Sequence, residues 1–503
     1  MKEKTYKMVA CIWSVLAIVL GGKLIKDNYA IASNNIYARE ISKLGQGLVV
    51  IVAVTLALII IWWFCGFIYR ALKENGKERE ICIFAFPVLI ILVSFLLSDI
   101  SNAGTLTNYY VGDEKNIWDS AARLYPFMFV YSSQIFLTCF FILPTIFAPS
   151  LIKLCFVSYV AGYTIYRVKS YYKSKLYYAL YVLFLSTVFL QMGIRVHRMH
   201  WYAILYLFIA VKLFFDDKEG KRLGLKELTA MAFAMSLLTI WRREGIYLLV
   251  WGLALLILVY AKNSVTDRFF SGWKRIVLVF VIAELLVCLP ETLYERTQTT
   301  ALADGDVVWR AFLVHMLDRS SFDRVKCAEE LAVIDKYLDI EIIDRYNAEV
   351  YNKYDDCYWE WSWYREGIYY APTQYWSVEG AEIVKEEVIK IIQKQPLIFI
   401  ESRIKAFGMA ANKEGYNLFL PLILTMIAMV KGICKKERCL AALSLGILGH
   451  TFLTAFLMPA SYFKYFYQMY LFGYVFGLIM LFEYLLKDDL TAKNKSKQDD
   501  IIV

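Results

Sequence analysis

Apolar runs long enough to cross a bilayer recur along this chain, and they decide what it can fold into. A hydrocarbon core of roughly 30 Å takes about 20 helical residues. Runs of that order, some shorter by a few residues, lie at 6–25, 48–69, 81–98, 150–166, 177–194, 201–215, 227–241, 246–261, 276–290, 417–431, 439–458 and 467–486. With 59% apolar residues, the chain is not a soluble protein with one core. The expected fold is an all-α polytopic membrane protein of about 12 transmembrane helices. The first run follows MKEKTYK and lacks a small-residue cleavage site, so it is expected to stay as a helix. The run 126–148, broken by YSSQ and Pro144, is expected to enter the membrane without crossing.

Loop charge sets the expected orientation, because Lys and Arg collect on the cytoplasmic side. Basic loops follow Arg70, Arg167, Lys218, Lys262 and Lys431. All five fall on one side if both termini are cytoplasmic; the loop Lys23–Lys43 is the misfit. The net charge of +9 is largely absorbed by these loops, so no nucleic-acid partner is expected. The resulting organisation is two leading helices (1–80), a transmembrane core (81–290) whose first outer loop is 99–125, an outer mainly helical domain (291–413), three C-terminal helices (414–486) and a cytoplasmic tail (487–503). In 291–413 carboxylates outnumber basic side chains, as suits an outer domain. Its stretches FDRVKCAEELAVIDKYLDIEIIDRYNAEVYNKY and SVEGAEIVKEEVIKIIQKQP read as helices, the second ended by Pro396. PLIFIESRIKAFG reads as an amphipathic helix along the membrane face. The aromatic loop between the two helical stretches fits an interfacial lid or a carbohydrate surface.

Ten cysteines show no metal-ligand spacing, so a zinc site is not expected. Cys327 and Cys357 lie in the outer domain, where a disulfide between them is one alternative. Walker, GxGxxG, HExxH and GxSxG motifs are missing from the sequence, which argues against ATP-driven transport by this chain.

Two groups of polar residues sit where the membrane helices should open outward. The loop DISNAGTLTNYYVGDEKNIWDSAARLYP supplies Asp99, Asp113, Glu114 and Asp119. A carboxylate at such a mouth either solvates a loop or acts as a general base on an acceptor. Asp99, Asp113 and Glu114 also offer hard oxygen ligands for a divalent metal ion. The second group is cationic: Arg195, His197, Arg198 and His200 in GIRVHRMHWY, Arg242 and Arg243 in WRREG, and Lys464 in SYFKYFYQMY. Charges in such short turns need partners or a polar cavity. They serve as lipid-phosphate anchors or as a phosphate pocket, for which Arg offers planar bidentate recognition. Glu284, inside a span, is expected to partner one of the arginines.

An acidic first outer loop, cations at later outer turns and a late outer domain together resemble the GT-C glycosyltransferases, relatives of the protein O-mannosyltransferases and of the lipid A aminoarabinose transferase. GDEKNIWDSAARLYP resembles the family's acidic motif, with Asp113 in the catalytic position and Trp118 where many members have Tyr. LLTIWRREGIYLL is similar to its Arg-bearing helix end. KYFYQMYLFGYVFG is similar to the start of a late span, with Lys464 where Arg is commoner. The two leading spans, the placement of the soluble segment and the YSSQ interruption depart from the simplest members. The resemblance implies transfer of a sugar from a polyprenyl-phosphate carrier to a glycan, lipid or protein acceptor at the outer face of the cell membrane. Asp113 would then be the base and the arginines would hold the leaving phosphate. Two other readings remain: an envelope polysaccharide polymerase or ligase working through Arg242 and Arg243, and a lipid-linked sugar transporter or flippase.

Overall fold

The computed structural model describes residues 148–194, 198–221, 223–261, 272–297, 304–345, 347–348, 378–413, 416–458 and 461–486. The two leading helices, the expected span 81–98, the acidic loop 99–125, the 126–148 run up to 147, the aromatic loop and the tail lie outside the described residues. Two compact units divide at Ile204 and Leu205.

In the first unit, α1 (Ala148–Tyr172) packs on α3 (Thr187–Ile194), with α2 (Tyr178–Phe184) between them in sequence. The expected single span 177–194 is two helices. The chain turns at Leu185–Ser186, and the Ser186 hydroxyl accepts from the Phe189 amide at 3.3 Å, restarting the helix as a cap. Leu154, Val157, Ala161, Ile165, Phe184 and Phe189 form the buried centre. α4 (Arg198–Glu219) begins at the end of this unit and continues into the next.

The second unit continues with α5 (Leu225–Trp241), α6 (Leu248–Tyr260) and α7 (Gly272–Thr297). Five helices follow: α8 (Asp304–Leu317), α9 (Ala328–Ile334), α10 (Ile340–Arg345), α11 (Val378–Lys394) and α12 (Pro396–Ala411). A two-residue antiparallel ladder, β1 (Asn412–Lys413) with β2 (Tyr416–Asn417), leads to α13 (Phe419–Cys434), α14 (Arg438–Leu457) and α15 (Tyr467–Leu485). The described chain is therefore helical apart from that ladder. Three helical stretches are long and apolar enough to cross a membrane: Met199–Glu219, Arg438–Leu457 and Phe463–Leu485.

The outward faces agree with a membrane environment. On α7, Leu278, Val281, Ile282, Leu285, Leu286 and Leu289 are exposed; on α13, Ile423, Met426, Ile427, Val430 and Ile433 are. Surface helices of soluble proteins put polar residues there. α13 packs against both α14 and α15. Gly473 allows the second contact, since a Cβ at that position would lie 2.3 Å from the Pro421 carbonyl oxygen. At one end of this bundle, Lys218 bridges Glu437 (3.0 Å) and Glu483 (3.1 Å), and Lys431 also pairs with Glu483. Beside them Asp216 accepts from Lys212 and from the Tyr260 hydroxyl, each at 2.8 Å.

Helices α8–α12 enclose a separate apolar core containing Phe312, Leu313, Ile334, Val384, Val388 and Ile391. Among the described residues, the helical stretch expected from Phe322 forms two short helices, α9 and α10. Asp335 accepts from the Ile340 amide at 2.9 Å and Asp339 from the Ile342 amide at 3.0 Å, so the carboxylates compete with helix continuation. Cys327 is a buried free thiol that accepts from the Gln395 amide at 3.0 Å. Cys357 lies outside the described residues.

Candidate functional site

The turn between α5 and α6 collects most of the described site. α5 stops at Trp241 because Arg242 is extended (φ −143°, ψ 147°), and a tight turn over Arg243–Tyr247 starts α6. Gly245 is required for the fold-back: a Cβ there would meet the Leu238 carbonyl oxygen at 2.3 Å and that of Thr239 at 2.7 Å. The turn closes with the Gly245 amide donating to the Arg242 carbonyl at 2.9 Å. It brings Arg242 and Glu244 side by side. Arg242 Nε donates to Glu244 Oε2 at 3.0 Å and Nη2 to Oε1 at 2.6 Å, a bidentate pair with Arg242 only 5% exposed. Burial alone would raise the Glu244 pKa, but the Arg242 guanidinium and nearby His450 overcome it and hold the carboxyl well below its ordinary range.

A second segment meets this turn. Tyr465 places its ring under the guanidinium, with the Arg242 carbon 5.1 Å from the centroid. The Lys464 ammonium lies 5.6 Å from the same centroid and 4.7 Å from that of Tyr462. Behind them, Gln468 donates from Nε2 to the Tyr465 carbonyl at 2.8 Å and lies 2.9 Å from His450 Nδ1. The His450 ring is 5.5 Å from that of Tyr247, which closes the circle back to the Arg242 turn. His450 and Gln468 are both fully or nearly fully buried, so apolar helices enclose a polar centre.

Of the expected cations, Arg242 and Lys464 thus share one tyrosine, although 222 positions separate them in sequence. His200, in the first unit, has another setting. It is 2% exposed, with Nδ1 3.4 Å from Nζ of the fully buried Lys153, which also donates to the Met192 carbonyl at 2.8 Å. Arg198 begins α4 and Arg243 lies in the α5–α6 turn, but their side chains are outside the described residues. Asp99, Asp113, Glu114, Arg195 and His197 are outside them altogether. Among the described residues no group of His, Cys, Asp and Glu could hold a metal ion.

Glu284 departs from expectation. It accepts from the Thr239 hydroxyl at 3.2 Å and the Cys288 thiol at 3.0 Å, and the carboxylate facing Arg242 is Glu244. Sequence reasoning did not single out Glu244, His450, Gln468 or Lys153. The signal for Glu244 was the Arg-x-Glu spacing across a helix break, where i and i+2 side chains can meet.

No protein-family model matches the chain, and neither a curated protein nor a solved structure does.

Proposed function

We propose that the chain is an integral membrane glycosyltransferase of the cell membrane, working at the outer face on a polyprenyl-phosphate-linked sugar. The observation that carries this reading is the meeting of buried Arg242 and half-buried Lys464 around the half-buried Tyr465 ring, next to the buried His450 and Gln468. A lipid-borne anionic donor needs cationic groups at membrane depth, and an oxyanion leaving group is best stabilised by donors already oriented before reaction. Glu244 supports this by fixing the plane of the Arg242 guanidinium through two hydrogen bonds. The orientation proposed has both termini cytoplasmic and 291–413 outside.

In the proposed reaction Asp113 takes the proton of an acceptor hydroxyl as its oxygen attacks the anomeric carbon. The bond from that carbon to the phosphate oxygen breaks, and polyprenyl phosphate leaves with the electron pair. Arg242 and Lys464, with Arg195, Arg198 and Arg243 as further cations, receive the developing charge. Asp99 and Glu114 support Asp113, or with it hold a divalent ion if one takes part. Glycan, lipid or protein hydroxyls are all chemically suited as acceptors.

The test is reconstitution of the purified chain in liposomes with radiolabelled polyprenyl-phosphate sugars and a mixed acceptor pool. Label transferred covalently, with release of polyprenyl phosphate and loss of transfer in Asp113→Asn, supports the reading. Label that only crosses the bilayer indicates transport. Transfer from diphosphate donors alone, insensitive to Asp113→Asn, indicates a polymerase or ligase.

A further inference from the structure

α12 has two faces of opposite character. Ser402, Arg403, Ala406 and Ala410 are buried on its inner face. Leu397, Ile400 and Ile404 stand outward, 77%, 41% and 66% exposed. Their spacing of three and four residues places them on one stripe. The charged residues of the helix are engaged with α8 and the loop after it. Glu401 accepts from the Ser321 hydroxyl at 3.1 Å and pairs with Arg319, while Lys405 pairs with Asp318 at 2.9 Å. The stripe itself is neutral.

We propose that this stripe docks α12 into the boundary between lipid headgroups and acyl chains. Three observations select lipid as the occupant. The Leu418 amide donates to the Ala411 carbonyl at 3.0 Å, so the end of α12 is tied to the start of α13. α13 carries its own outward apolar face and packs against α14 and α15, both long and apolar enough to cross a membrane. α12 therefore stands at the start of an apolar helix packed on two helices long enough to cross a membrane, and presents the same kind of outward surface. Because the stripe has no basic residue, apolar area sets the docking rather than attraction to anionic headgroups. On the inner face, Arg403 donates to the Met458 carbonyl at 3.1 Å, at the end of α14. Docking of α12 thereby fixes the height of the segment that leads to Lys464.

The experiment is a spin-label scan of the full chain, cysteine-depleted and reconstituted in vesicles. Labels go at Leu397→Cys, Ile400→Cys and Ile404→Cys, with Glu382→Cys, a water-exposed position on α11, as reference. The expected result is a severalfold higher ratio of oxygen to nickel-chelate accessibility at the three stripe positions than at 382. It should be equal in phosphatidylcholine vesicles and in vesicles containing phosphatidylglycerol. Nickel accessibility matching position 382 would overturn the proposal by placing the stripe in water. Exclusion of both relaxants with spin–spin broadening would overturn it in favour of a second copy. A raised ratio only with phosphatidylglycerol would overturn the apolar basis of docking.

Discussion

The module formed by α8–α12 and the bundle formed by α13–α15 use the same residue types in opposite arrangements. In the module Val384, Val388 and Ile391 point into a shared core, and ion pairs such as Lys385–Glu382 and Lys390–Glu387 lie on its surface. In the bundle Ile423, Ile427 and Val430 face outward, while Thr425, Ser444, His450 and Gln468 are buried. Apart from the outward stripe of α12, the module hides its apolar groups as water requires, and a bundle meant for lipid has no reason to. The contrast teaches where chemistry can sit. In the module, exposed ion pairs such as Lys385–Glu382 are worth little individually, while Arg403 and His315 meet in its interior. In the bundle polar contacts converge inward, where low dielectric makes each one count.

The largest effect should come from testing that inversion with one substitution in two places. Ile391→Asn puts an amide into the module core and should cost about 4 kcal/mol, from lost packing and a buried polar group. Ile427→Asn, on the exposed face of α13, should cost about 0.5 kcal/mol in detergent. Denaturant unfolding of the two variants measures both; equal losses would erase the distinction.

Next in size is Gly473→Ala. The added methyl must displace the Pro421 backbone, and a loss of about 2 kcal/mol is expected from overpacking α13 against α15. Thermal unfolding of this variant should show a lower midpoint, whereas Gly408→Ala, with open space around it, should not.

The smallest effect is the pH dependence that the module contributes. His315 in α8 hydrogen-bonds Arg403 through Nδ1 and is completely buried. Burial first, then the charges of Arg403, Arg319 and Lys405, holds its pKa well below the ordinary 6.5. The unfolded chain takes up a proton below about pH 6.5 that the folded module refuses, so stability falls as the pH drops from there. Glu330, whose pKa is lowered chiefly by its hydrogen bond from Lys394, adds a loss only below the ordinary carboxylate range. The part of the slope that His315 supplies lies between about pH 7.5 and 5. His315→Gln, which keeps an acceptor for Arg403, should flatten it in midpoint-versus-pH curves; an unchanged slope would contradict the assignment.

Helices were legible where composition alone decides them. The run 439–458 corresponds to α14, 467–486 to α15 and 201–215 to most of α4. Interruptions were harder, because they depend on single side chains acting on the backbone: Ser186 divides one expected span, and Asp335 with Asp339 divides an expected helix. At the site, the cationic character of Arg242 and Lys464 was readable from their positions between apolar runs. Their common neighbour Tyr465, the Glu244 pair and the His450–Gln468 contact were not. Those depend on how α5, α14 and α15 pack, and no local pattern encodes that.

The central claim is that Arg242 and Lys464 act together on the phosphate of a lipid-borne donor. Its most direct test compares steady-state transfer by the reconstituted wild type, Lys464→Gln, Arg242→Gln and the double variant, with Lys464→Arg as the conservative control. The account predicts a loss of about 100-fold for each single glutamine variant, as for removal of one oriented oxyanion donor. It also predicts a double loss smaller than the product of the singles, and retained activity in Lys464→Arg. Glutamine variants that fold and transfer sugar at the wild-type rate would contradict it.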